Sequence, residues 1–295
     1  MIVLGCTAGT RMAEGVARAL DVGYVSVNHK IFPDGESYVR VSESVKGEDV
    51  LIVQSLGAPQ EKHFFELLEA VDGAKNAGAA HIFALLPYLA YARQDRVFTT
   101  GEPVSARIVL EHLKHAGVEK IAVVNPHKSN ELSYFKGDSL SIDATPYIAA
   151  EAIKRSRLQF VLAPDEGAAE TARGIAEAHS LKWGAIDKER SRTEGSIKIR
   201  KAPKIRFDGK KVLIVDDMIS TGGTVAQTAR FAKENGAASV SVAAVHLLLA
   251  GNAYDLIRSA GVDEIFGTNS IEESRPGCII FDISKLVAEK LSDFL

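Results

Sequence analysis

The apolar positions of this chain fall in short unbroken runs separated by amphipathic stretches, the pattern of strands alternating with helices. Val50-Leu51-Ile52-Val53 is apolar on both faces, which predicts a strand buried on both sides. A loop over 54–60 follows, and then Phe64, Leu67, Leu68 and Val71 share one face of a predicted helix. Gly78-Ala79-Ala80 ends that helix, and residues 81–86 resume a strand. The plan returns later in the chain. Residues 212–215 predict a strand, 226–233 a helix, Gly236-Ala237-Ala238 its end, and 239–245 the next strand. Met1 to Cys6 reads as a first strand; it lacks the basic leader and long apolar segment of a cleaved signal.

Two units of strand, loop, helix, Gly-Ala-Ala and strand imply a degenerate internal duplication. The expected fold class is α/β, with two duplicated domains, each a mainly parallel sheet flanked by helices. Ligands on such sheets lie at the carboxyl ends of the strands. A length of 295 residues fits two domains at ~150 residues each. The boundary is expected near Thr145-Pro146, where a proline opens a clean helical pattern over 147–155, giving domains 1–144 and 145–295.

Composition removes several classes of function. A net charge of −3 offers no general attraction for nucleic acid or anionic membrane, so neither is expected as a partner. No apolar run approaches the ~20 residues of a membrane span. Cys6 and Cys278 are the only cysteines and have no metal-ligand spacing, which is the usage of a reduced, cytoplasmic protein.

The window from Val212 to Thr224 carries the densest chemistry. Its apolar run is expected to stop at the adjacent carboxylates Asp216 and Asp217, before a turn of Ser220, Thr221, Gly222, Gly223 and Thr224. Glycines let the backbone approach a ligand, and successive N–H groups leading into a helix make an anion site. Phosphate would sit on the turn, and the acids would face hydroxyls or a metal; ribose 5-phosphate satisfies both. An ordinary strand end and chain turn is the bland alternative. Two acids, three hydroxyl residues and two glycines in so short a window weigh against it.

Other strand ends carry weaker signals. Tyr88 to Arg96 places Arg93 and Arg96 around Gln94-Asp95, and guanidinium groups suit phosphates, although a solvated loop has the same composition. Phe32-Pro33-Asp34-Gly35-Glu36 is a turn by its chemistry and, taken alone, an exposed hairpin tip. His127 and Asp165 each lie just past a predicted strand. A basic segment opens at Asp187-Lys188-Glu189-Arg190, within which Ile197 and Ile199 alternate with polar residues as in a small hairpin.

The acid–glycine window resembles the phosphoribosyl diphosphate (PRPP) binding loop of the type I phosphoribosyltransferase fold. The whole ordered set of motifs resembles the ribose-phosphate diphosphokinase family, over nearly the full chain. That resemblance implies transfer of diphosphate from ATP to the 1-hydroxyl of ribose 5-phosphate. It implies that Phe32, Asp34 and Glu36 contact adenine from a neighbouring subunit, so the protein is a homo-oligomer, at least a dimer. Arg93, Gln94, Arg96 and His127 would hold ATP. His127 and Asp165 would help position Mg2+. Asp216 and Asp217 would bind the ribose hydroxyls, and Ser220, Thr221, Gly222, Gly223 and Thr224 the 5-phosphate. Lys188 and Arg190 would close over the transferring group as catalytic residues.

Several positions depart from the family pattern. Ser220 stands where diphosphokinases often carry a third Asp, Asn125 where relatives often have Asp, and Ala168 in place of a second glycine. Residues 97–100 are less basic than in many bacterial relatives, and no serine-containing tail follows Leu295. Both differences count against bacterial-style ADP feedback and hexamer assembly. Two competing readings follow from the same residues. A transferase that consumes PRPP would need only the second unit, and a PRPP-sensing regulator would keep the fold without the catalytic residues.

Overall fold

The structure is a computed structural model that describes residues 1–190, 197–201, 205–272 and 276–295, with backbone alone for Ser129, Asp187–Arg190 and Ile197–Lys201. The chain divides into two compact units.

The first unit opens with β1 (Ile2–Gly5), α1 (Thr10–Leu20) and β2 (Gly23–Ser26). A two-stranded hairpin, β3 (Asn28–Ile31) and β4 (Ser37–Arg40), is inserted before β5 (Asp49–Val53), α2 (Gln60–Asn76) and β6 (His81–Leu86). Helix α3 (Ser105–Ala116), β7 (Lys120–Val124) and β8 (Asp138–Ile142) complete the sheet, whose order is β2-β1-β5-β6-β7-β8. Every pairing within it is parallel.

The second unit repeats this order. Helix α4 (Thr145–Ser156) leads into β9 (Phe160–Ala163), α5 (Ala169–Ala178) and β10 (Lys182–Ala185). A second hairpin, β11 (Asp187–Arg190) and β12 (Ile197–Lys201), precedes β13 (Lys211–Ile219), α6 (Gly223–Glu234) and β14 (Ser239–Leu247). Helix α7 (Ala253–Ser259), β15 (Glu264–Thr268) and β16 (Ile279–Phe281) follow. The sheet order β10-β9-β13-β14-β15-β16 is the first sheet's order again, also parallel throughout. The duplication is therefore topological, with a hairpin at the same place in each copy.

The repeated Gly-Ala-Ala has a backbone cause. Gly78 (φ 86°) and Gly236 (φ 89°) are left-handed and end α2 and α6. The N–H of Gly78 returns to Lys75 O at 2.9 Å and that of Gly236 to Lys233 O at 3.1 Å, pairing carbonyls the helix leaves open.

Two expectations need correction. Strand β13 does not stop at the acids; it stays paired with β14 as far as Ile219 opposite Leu247. Its partner on the other side, β9, reaches only Ile214, so the acids lie on a stretch with one paired edge. The buried face of α2 is Glu66, Leu67, Ala70, Val71 and Ala74, with Phe64 and Leu68 only half-buried. A carboxylate joins that face because three donors meet it, as described below.

The chain's end also returns. Asn269–Glu273 and Asp282–Leu295 group with the first unit, where α8 (Ser284–Ser292) packs on α1. The Ser284 hydroxyl reaches Met12 Sδ at 3.5 Å, and a Cβ on Gly15 would lie 2.3 Å from Ser284 Oγ, so only glycine permits this packing.

Candidate active site

In the second unit, β9 and β13 are neighbours, and the acidic residues sit past the end of β9 and on the last part of β13. Asp216 and Asp217 are half-buried above the fully buried Val212, Leu213 and Ile214. The Asp217 N–H donates to Asp216 Oδ1 at 2.9 Å, and the Met218 N–H donates to Asp217 Oδ1 at 2.8 Å. Burial pushes the Asp216 carboxyl well above the usual carboxylate range, and the charges of Asp217 and Asp165 push it further. Asp165 follows β9, and its carboxylate caps a short 3-10 turn by accepting from the Ala168 N–H at 3.3 Å. Residue 168 contributes only its backbone N–H to this bond, so alanine there serves as well as glycine. The charges of Asp217 and Asp165 thus both bear on Asp216.

The turn beyond them opens α6. Gly222 is its N-cap at φ 76°, and no side chain caps the helix. A Cβ on Gly222 would meet Ile257 at 2.9 Å and Ala253 O at 3.1 Å, whereas one on Gly223 would enter open space. The first N–H groups of a helix have no intrahelical partner, and the macrodipole adds positive potential there. An uncapped helix start with the hydroxyl residues Ser220, Thr221 and Thr224 beside it has the chemistry to receive an anion. The turn is held from behind: the Ala250 N–H donates to Ser220 O, and those of Leu248 and Leu249 to Ile219 O, each at 3.0 Å.

In the first unit, the loops after the adjacent strands β6 and β7 meet. Arg93 and Arg96 are exposed, and Gln94 is half-buried, with its Oε1 accepting from Ser105 Oγ at 2.6 Å. The loop turns through Tyr91, left-handed at φ 64°, whose hydroxyl donates to Glu61 Oε1 at 2.6 Å. His127 lies in the β7 loop, so the structure brings together the loops bearing Arg93, Gln94, Arg96 and His127. The joint is made on Asp95 by Lys128 and Tyr134, neither of which carries a sequence signal. Lys128 forms an ion pair with Asp95, and the Tyr134 hydroxyl donates to Asp95 O at 3.0 Å. Lys128 holds the Asp95 carboxyl below its usual range. Glu131 lies beneath, 1% exposed, with both carboxylate oxygens unpartnered; burial, reinforced by the charge of Asp95, raises it to about 7. Asn125 donates to Asp143 Oδ1 at 2.9 Å, a bond that an aspartate at 125 would replace with repulsion.

Phe32, Asp34 and Glu36 form the tip of the β3–β4 hairpin. The Phe32 N–H donates to Glu36 O at 2.8 Å, that of Gly35 to Phe32 O at 2.9 Å, and that of Glu36 to Asp34 Oδ1 at 3.2 Å. Lys188 and Arg190 lie on the equivalent hairpin of the second unit. Their backbone pairs with Ile199 and Ile197, as the alternation of isoleucines predicts, and their side chains lie outside the described residues. His127 and Asp165 belong to different units. Among the described residues, no three His, Cys, Asp or Glu side chains gather as a metal site.

Comparisons with known proteins agree along the whole chain. Residues 1–117 match the family described as the N-terminal domain of ribose phosphate pyrophosphokinase, and residues 140–273 match the phosphoribosyl transferase domain. A ribose-phosphate pyrophosphokinase from Saccharolobus solfataricus is 44% identical over 291 residues, 99% of this chain and 100% of its own length. One from Methanothermobacter thermautotrophicus is 35% identical over 292 residues, again 99% of this chain and all of its own. The crystal structure of phosphoribosylpyrophosphate synthetase from Mycobacterium smegmatis superposes with a TM-score of 0.87 at 30% identity, covering 99% of this chain and 98% of that one.

Proposed function

This chain belongs to the ribose-phosphate pyrophosphokinase family, and from that membership we infer that it transfers diphosphate from ATP to the 1-hydroxyl of ribose 5-phosphate, giving PRPP and AMP. The observation that carries the sugar site is the sequence of features along β13: two carboxylates, a hydroxyl-rich turn, and an uncapped helix start at Gly222. We assign Asp216 and Asp217 to the ribose hydroxyls, and Ser220, Thr221, Gly222, Gly223 and Thr224 to the 5-phosphate. Arg93, Gln94, Arg96 and His127 are assigned to ATP, with Phe32, Asp34 and Glu36 supplied to the adenine by a neighbouring subunit of a homo-oligomer.

The 1-hydroxyl attacks the β-phosphorus in line. The residues of the two units have to hold the reactants, exclude water and stabilise charge, because phosphoryl-type transfer asks for little covalent chemistry from the protein. Lys188 and Arg190 take the role of cations brought over the transferring group when their hairpin closes.

Mg2+ fits the donor chemistry present. Hard carboxylate oxygens suit it, and it commonly takes one or two carboxylates plus substrate phosphates, so no three-residue cage is required. Asp165 in the second unit would help hold it, and the ion would offset charge on the diphosphate oxygens. No helix among the described residues is long and apolar enough to cross a membrane. Cys6 and Cys278 are free thiols, the usage of a reducing compartment, and we place the enzyme in the cytoplasm. Incubation with ATP, ribose 5-phosphate and magnesium should yield AMP and PRPP together. Release of ADP, or no consumption of the sugar, would overturn the reading.

A further inference from the structure

Lys30 and Tyr38 face each other in register across the β3–β4 hairpin. The Lys30 ammonium lies 4.4 Å from the centroid of the Phe32 ring and 4.7 Å from that of Tyr38. The two rings meet edge to face, 5.9 Å apart at 75°. The trio stands at the surface, where Phe32 keeps 38% of its area exposed and Tyr38 37%. An exposed phenylalanine at a hairpin tip would ordinarily sample several rotamers, and fixing one costs side-chain entropy. Here a cation over the Phe32 ring and a tyrosine ring nearly perpendicular to it select one orientation, and 38% of the Phe32 area stays open to solvent. The backbone beneath is already fixed by the turn bonds of Phe32 and Gly35, and the Ser37 hydroxyl ties the hairpin to Glu69 of α2.

We propose that Lys30 and Tyr38 are positioning residues for the nucleobase, holding the Phe32 ring so that its free surface stacks on the adenine of ATP. This rests on the assignment of Phe32 to adenine given above. A cation on one face draws π density towards itself, which favours an electron-rich base stacked on the other. Neither Lys30 nor Tyr38 need touch the nucleotide, and neither belongs to the sugar site.

Steady-state kinetics with ATP and ribose 5-phosphate varied separately test this. Lys30→Met and Tyr38→Leu should each raise the KM for ATP about twofold to fivefold, the range of an exposed cation–aromatic contact. Turnover and the KM for ribose 5-phosphate should stay within about twofold of wild type, because a ground-state binding contact is lost. Lys30→Arg should restore the KM for ATP. In a Phe32→Ala background, Lys30→Met should add nothing further, since both act through one ring. If Phe32→Ala leaves the KM for ATP unchanged, the assignment of this hairpin to the nucleotide fails. If Phe32→Ala raises it and Lys30→Met does not, that assignment stands and the present inference is wrong. An undiminished Lys30→Met effect in the Phe32→Ala background would show direct contact between Lys30 and the nucleotide, and would also overturn it.

Discussion

Gln54 and Asp216 occupy equivalent positions: each follows a Val-Leu-Ile-Val run on the third strand of its sheet. Their surroundings have diverged. Gln54 is fully buried, accepts from the Ala8 N–H at 2.9 Å and donates to Glu66 Oε2 at 3.0 Å. Glu66 in turn accepts from the N–H and the hydroxyl of Thr7, at 2.7 and 2.5 Å. The next residue, Ser55, donates to Ser270 O at 2.7 Å. The first unit has closed its copy of the strand end with internal partners, while in the second Asp216 feels the charges of Asp217 and Asp165. A closed network stabilises its unit; a set of crowded acids is suited to hydroxyl donors or a cation.

The closed network is therefore expected to be structural. Glu66→Ala should destabilise the protein by about 3 kcal/mol or more, because it leaves the buried amide of Gln54 and the groups of Thr7 short of an acceptor. Denaturant titration reads the loss. Stability within about 0.5 kcal/mol of wild type would show that these bonds contribute little.

Asp216 should show the opposite balance. A folded-state carboxyl raised above its unfolded value keeps its proton longer than the unfolded chain does, so stability is lost as pH rises from the unfolded pKa towards the folded one. Asp216→Asn should remove that slope and raise the melting temperature of the ligand-free protein at neutral pH. Ribose 5-phosphate affinity, measured by calorimetry, should fall about tenfold to a hundredfold with the lost charged hydrogen bonds. The same sugar loss is expected for Asp217→Ala, and an unchanged Kd for either variant would contradict the assignment.

Glu131 gives a second pH signature. Its pKa moves from an ordinary 4.5 to about 7 on folding, so its contribution to stability declines as pH rises across that interval. Glu131→Gln should flatten the stability profile between these values, as followed by thermal unfolding over a pH series. A variant profile that parallels wild type would mean the carboxyl is not held neutral.

The phosphate turn separates two glycines. Gly222→Ala forces a side chain into a left-handed residue and against Ile257 and Ala253, and should cost about 1–3 kcal/mol of stability as well as sugar-phosphate binding. Gly223→Ala meets no protein atom, so the fold should hold and only binding should suffer. Equal loss of stability in both variants would contradict this division.

Much of this was legible in the sequence for physical reasons. Residues 50–53 and 212–215 announce buried parallel strands because no polar residue interrupts either face. Gly78 and Gly236 announce helix ends because a left-handed residue is needed there. Asp216 to Thr224 stand out because two acids, three hydroxyl residues and two glycines share one short window. Other features depend on partners distant in sequence. The burial of Glu66 needs Thr7, 59 positions away, and the return of the last helix needs Gly15 beneath Ser284. Lys128 gave no signal because its partner, Asp95, lies on another strand's loop.

In the mechanism proposed above, the hairpin carrying Lys188 and Arg190 bears the chemical step. Lys188→Ala and Arg190→Ala should lower kcat by about 10²–10³ with little change in KM, as for other lost transition-state contacts. Wild-type turnover in both variants would remove the hairpin from the mechanism.

The central claim is transfer of the terminal diphosphate as a unit to the pentose. ATP labelled at its β-phosphorus, incubated with ribose 5-phosphate, magnesium and the protein, should give pentose carrying all the transferred label and AMP carrying none. Label retained in a nucleoside diphosphate, or released as free diphosphate without a labelled sugar, would contradict it.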